Sequence, residues 1–189
     1  MKDPDISAAP DDGRKALLGL LSSSLFGAQA PDLSGCFART ALEAQSQGVF
    51  LTAMQNADAS AEPPEARAEL HAHVRGLLEK NIALGAAHVG LSSLLENAGI
   101  RFVMIKGFAS AAYYPAPELR QCGDVDFCVE PSDVGKTEAL LRNEGFVPEK
   151  LSHGVHHVFS KDGARYELHF GIPGMPSGEA GERCSVYFS

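Results

Sequence analysis

No run of apolar residues approaches the ~18 that a membrane-spanning helix needs, so no membrane contact is expected. The opening residues Met1-Lys2-Asp3-Pro4-Asp5 lack the basic-then-apolar order of a secretory leader, and a cytoplasmic protein is expected. Cysteine is sparse: Cys36, Cys122, Cys128 and Cys184 are scattered, and no Cys-x-x-Cys occurs. That argues against a zinc ribbon or a thioredoxin motif and for reduced thiols. Basic charge is short as well. With 16 Lys and Arg against 24 Asp and Glu, the net charge is −8. Broad binding to nucleic acid runs on cations that neutralise phosphates, so none is expected. One small basic pocket for a phosphorylated molecule remains compatible with this balance. The chain has no internal repeat, no Gly-x-x-x-x-Gly-Lys-Ser/Thr loop and no Gly-x-Ser-x-Gly elbow.

What is present is a chain of 189 residues, 44% hydrophobic, long enough to bury a core without staples. Residues 1–13 are rich in Asp, Pro and Ala and read as frayed. Leucines from Arg14 to Phe26 recur at helical spacing. Asp32 or Ser34 is a candidate cap for a second helix running to about Met54, and 56–64 reads as a loop. A long helix is expected from Glu65 to Asn97, with Pro63 and Pro64 at its start and Gly99 as its left-handed cap. Gly76, Gly85 and Gly90 weaken it and are candidate breaks.

The texture changes at Ile100. Strands are expected at 101–105 and 125–129, helices at 108–114 and 134–143, and a third strand start at Phe146-Val147. A hairpin is expected from 156–160 and 165–170 around Lys161-Asp162-Gly163-Ala164. The pattern implies an α+β fold: a helical region at 1–98 packed on a small mixed-sheet core at 99–171, with an irregular tail at 172–189.

The strongest chemical signal is Gly123-Asp124-Val125-Asp126-Phe127. Alternation along a strand puts Asp124 and Asp126 on one face and Val125, Phe127 and Val129 on the other. Two adjacent carboxylates repel unless a cation lies between them, and Mg²⁺ prefers oxygen ligands. A bare Asp-x-Asp is equally compatible with two solvated aspartates. Context adds Glu167, which shares a face with Arg165 and His169 in a second alternating strand. If the two strands are neighbours, three carboxylates share one sheet face, which can hold two metal ions for in-line phosphoryl transfer. Lys106-Gly107 sits at a strand-to-helix turn, where backbone and ammonium can approach a phosphate. Arg120, four residues before Asp124, is either a phosphate contact or a partner of the carboxylates. His153, His156 and His157, with His169 nearby, read as neutral histidines in a turn and strand rather than a zinc site. His71 and His73 read as surface residues.

The ordered set Met104-Ile-Lys-Gly-Phe-Ala-Ser-Ala-Ala-Tyr-Tyr-Pro115, Leu119-Arg120, Gly123-Asp-Val-Asp-Phe127, Gly145-Phe146, His156-His157-Val-Phe159 and Tyr166-Glu-Leu-His169 resembles the uncharacterised nucleotidyltransferase family of the DNA polymerase beta-like superfamily. The resemblance spans roughly Leu94 to Phe170. It implies a nucleotidyltransferase core in which Asp124, Asp126 and Glu167 hold Mg²⁺ or Mn²⁺ and carry catalysis. It also implies that Lys106, Gly107, Ser110 and Arg120 contact the triphosphate of an NTP substrate. The turn here reads Gly107-Phe108 where Gly-Ser or Gly-Gly is usual, with Ser110 the nearest hydroxyl.

The expected function is therefore Mg²⁺-dependent transfer of a nucleoside monophosphate from an NTP to an unknown acceptor. The alternative is a degenerate module of this fold that binds nucleotide or a protein without turnover. The wide apolar stripe of the helical half makes a homodimer the expected assembly.

Overall fold

The structure, a computed structural model, describes residues 11–150, 156–171 and 179. The fold is α+β, with six helices and a five-stranded mixed sheet among the described residues. The expectations for the tail, and for His153, lie outside the described residues. Two compact units form. One takes residues up to Ala86 together with Gly107–Cys122, and the other takes Ala87–Lys106 and the residues from Gly123 onward.

The first unit is helical. Helix α1 (Asp11–Phe26) begins earlier than its leucine pattern, taking in residues 11–13 that composition marks as frayed. The expected second helix is two, α2 (Phe37–Ser46) and α3 (Phe50–Met54). Gly48, at φ +65°, turns the chain between them in a conformation that glycine adopts without strain. Asp32 caps neither helix: its carboxylate accepts hydrogen bonds from the Ser34 amide and hydroxyl in a local turn. Leu17, Leu20, Phe37, Phe50 and Met54 form the core, with Leu70, Val74 and Leu77 of helix α4 (Pro64–Asn97) against it.

Helix α4 runs through all three of its interior glycines without a break, because tertiary packing outweighs the ~1 kcal/mol propensity cost of each. Gly99 closes it at φ +63°. Within the first unit the buried Asn81 amide ties down a distant segment. Its Nδ2 donates to the carbonyls of Glu118 and Arg120, and its Oδ1 accepts from the Cys122 amide. Helix α5 (Gly107–Ala111) is shorter than expected and gives way to turns before Pro115.

The second unit is built on the sheet, in the order β1-β2-β5-β4-β3. Its strands are β1 (Phe102–Ile105), β2 (Val125–Val129), β3 (Val147–Pro148), β4 (His156–Lys161) and β5 (Ala164–His169). Strand β1 is antiparallel to β2, β2 is parallel to β5, and β4 is antiparallel to both β5 and β3. The hairpin turn is tighter than its sequence signal suggests. Lys161 pairs with Ala164, leaving Asp162 and Gly163 at φ +51° and +78°, the pair of positive φ angles that suits the strand twist. The parallel β2–β5 pair needs a crossover. Helix α6 (Val134–Asn143) begins it, and its Leu141 is fully buried. Val125, Phe127, Val158, Phe159 and Leu168 fill the sheet core.

Candidate active site

Strand β2 lies between β1 and β5, so Asp126 has Ile105 opposite it on one side and Glu167 on the other. Residues in register on neighbouring strands point the same way. The two carboxylates expected to share a face therefore do, and Asp124 stands immediately ahead of β2. Asp126 is only 2% exposed.

Two side chains meet that buried charge. Lys106, the residue after β1, returns its Nζ to donate to Asp126 Oδ1 at 2.7 Å. His169, two residues past Glu167 and on the same face of β5, places Nε2 2.9 Å from the same oxygen and 3.4 Å from Glu167 Oε2. Lys106 holds a left-handed backbone, φ +53°, followed by Gly107 at φ +34°. A lysine in that region is uncommon, and such conformations concentrate at functional sites.

The electrostatics divide the two aspartates. Burial opposes the Asp126 carboxylate, but the hydrogen bonds from Lys106 and His169 outweigh it and hold its pKa low. Asp124 goes the other way: burial, then the charges of Asp126 and Glu167, push its pKa up. The hydrogen bond to Asp126 raises the Lys106 pKa against the pull of burial. His88, near the C-terminal end of α4, is lowered by burial although Asp126 acts on it in the opposite sense.

This is a face with more negative charge than its cations balance. Its donors are hard carboxylate oxygens, and burial, with the charges of Asp126 and Glu167 added to it, raises the Asp124 pKa. Asp124, Asp126 and Glu167 therefore suit a divalent cation on chemical grounds.

Gly107, Ser110 and Arg120 belong to the first unit. Gly107 opens α5 and is buried, Ser110 is half-buried on the same helix, and the Arg120 guanidinium stacks 5.9 Å over the Tyr114 ring. Phe108 turns its ring onto α4, with Cζ 3.4 Å from where a side chain at Gly85 would begin. The bulky residue in the turn is thus a packing residue of its own unit.

Sequence reasoning missed two residues and the role of a third. His169 was placed on the Glu167 face, but its burial and its bond to Asp126 depended on the sheet. His88 and Asn81 both fall on the Leu84, Leu91 and Leu95 stripe of α4, yet what their side chains meet depended on the tertiary structure. His73 is exposed, as expected, yet bonds Gln45 and sets its ring edge-on to Phe50.

The mixed sheet presents carboxylates from two parallel neighbours beside a lysine at a strand exit. The chain matches the uncharacterised nucleotidyltransferase family over residues 34–175, and it belongs to that family. The match begins well before Leu94, so the helical region from residue 34 onward falls within the family pattern, whereas α1 lies outside it. No curated protein matches the chain. A general nucleotidyltransferase role follows from the family.

Proposed function

We propose that the protein transfers a nucleoside monophosphate from an NTP to an acceptor hydroxyl in a Mg²⁺- or Mn²⁺-dependent reaction. The observation that carries this reading is the β2–β5 register, which sets Asp126 beside Glu167, with Asp124 two residues ahead of Asp126. Asp124, Asp126 and Glu167 would hold the cation, which when bound neutralises charge on the triphosphate. Lys106, with its side chain 55% exposed, has room to turn its ammonium from Asp126 to a phosphate. Glu167 accepts the proton of the acceptor hydroxyl as that oxygen bonds to the α-phosphorus and pyrophosphate leaves. Gly107, Ser110 and Arg120 are assigned to the triphosphate by family position.

The second reading, binding without turnover, is favoured by one contact: the Lys106 ammonium already neutralises Asp126, as a cation would. Pyrophosphate release measured with each of the four NTPs, with and without Mg²⁺, against a cell extract as acceptor source separates the two. Release abolished in the Asp124→Asn/Asp126→Asn double variant supports transfer. An NTP-dependent thermal shift without any release supports binding alone, and neither signal overturns both.

A further inference from the structure

Strand pairing assembles a second cluster, which shares Glu167 with the carboxylate site and adds two histidines that the carboxylate chemistry does not use. His156 of β4 is the direct antiparallel partner of His169 of β5, and their rings stand 5.0 Å apart between centroids. Glu167 lies on the same face, two residues before His169. One ligand atom from each of His156, Glu167 and His169 falls within 4.8 Å of the others. Ligands around a tetrahedral ion with bonds of about 2.1 Å sit about 3.4 Å apart, so small side-chain rotations close the cluster on one ion.

His169 supplies an independent pointer. It is 1% exposed. Its Nε2 faces the Asp126 carboxylate, which when ionised only accepts, so Nε2 carries the proton. In the neutral ring Nδ1 then carries a lone pair, and it is buried with no hydrogen-bond partner among the described residues. A buried, unsatisfied acceptor is costly unless something cationic or protic meets it. A histidine whose other nitrogen donates to a carboxylate is the usual arrangement behind a metal ligand.

We propose that His156, Glu167 and His169 form a transition-metal site that takes Zn²⁺, with Asp126 positioning His169 from behind. Two imidazoles and one carboxylate are borderline-soft donors that suit zinc and are poorly matched to Mg²⁺. The proposal does not rest on nucleotidyl transfer, although Asp126 and Glu167 take part in both.

The test uses the full chain stripped with EDTA and no nucleotide. Equilibrium dialysis against Zn²⁺ in millimolar Mg²⁺ should leave one Zn²⁺ per chain. Co²⁺ in its place should give the visible absorption of a low-coordinate site with nitrogen ligands. His156→Ala should weaken Zn²⁺ binding by more than about 100-fold, and Asp126→Asn by about 10- to 100-fold as the loss of a positioning partner. His71→Ala should change nothing. Circular dichroism checks the fold of each variant, and the wild-type Co²⁺ spectrum needs no variant at all. Zinc displaced by millimolar Mg²⁺, a Co²⁺ spectrum like that of the hexa-aqua ion, or unchanged affinity in a folded His156→Ala variant would overturn the site. Mg²⁺–NTP binding is measured separately on the same wild-type protein, so loss of either reading leaves the other standing.

Discussion

Asp124 and Asp126 are two residues apart, and burial pushes both pKa values up, yet the net results are opposite. Asp126 has Lys106 and His169 as donors that outweigh its burial, whereas at Asp124 the charges of Asp126 and Glu167 add to burial. The pH dependence follows with opposite signs. Asp126, held low, contributes stability above the ordinary value of 3.8 that is lost as pH falls through its folded value. Asp124, held high, contributes stability below 3.8 that is lost as pH rises through its folded value. Asp124→Asn removes that loss. Without metal, the variant should melt above wild type at pH 7, and the advantage should shrink on acidification towards pH 4. A melting difference that stays constant across this range would contradict the assignment. Phe108 gives a second expectation. Its half-buried ring rests against α4, so Phe108→Ser should cost about 1–3 kcal/mol, below the full core value because the ring is only partly buried. Urea unfolding measures this, and tighter triphosphate binding by the variant at unchanged stability would place the ring in the nucleotide site instead.

At the scale of elements, the turns and ties hold the site-bearing strands and segments in register. The two-residue turn at Asp162-Gly163 sets β4 against β5, and through it the pairing of His156 with His169. Asp tolerates a left-handed conformation better than most residues, but Gly163 at φ +78° has only conformational freedom to offer. Gly163→Ala should therefore destabilise by about 1–2 kcal/mol through strain alone, as read by chemical denaturation. Asn81 makes a similar demand in the first unit. Asn81→Ala strips partners from two carbonyls and one amide and should cost about 1–3 kcal/mol. Wild-type stability for that variant would mean that the 118–122 segment is held by other contacts.

Across the whole molecule, net charge decides what the protein avoids. At −8, its net charge repels a polyanion, and the buried charge around Asp126 among the described residues is itself mostly acidic. No retention on duplex DNA or on RNA should be seen at physiological salt, because too few phosphates could be neutralised to offset the field. A gel-shift titration checks this, and micromolar affinity for random-sequence nucleic acid would contradict it. None of the described helices is long and apolar enough to cross a membrane.

The sequence by itself determined the local elements whose period is set by backbone geometry. Residues 125–129 and 164–169 alternate as strands must, so Asp126 with Asp124, and Glu167 with His169, were assignable to shared faces before any partner was known. Gly99 and Gly145 ended their helices where a left-handed residue was needed. The family pattern was equally legible, since it is a set of local motifs in order. Three things were decided only by the tertiary structure. Placing β5 parallel to β2 brought Glu167 beside Asp126. Burying His169 behind both carboxylates turned a strand histidine into a hydrogen-bond partner of Asp126. Carrying α4 through three glycines reversed what propensity alone would favour. These outcomes depend on contacts between segments distant in the chain. Their energies come from burial and from the pairing of charges out of water, and neither is set by neighbours along the sequence.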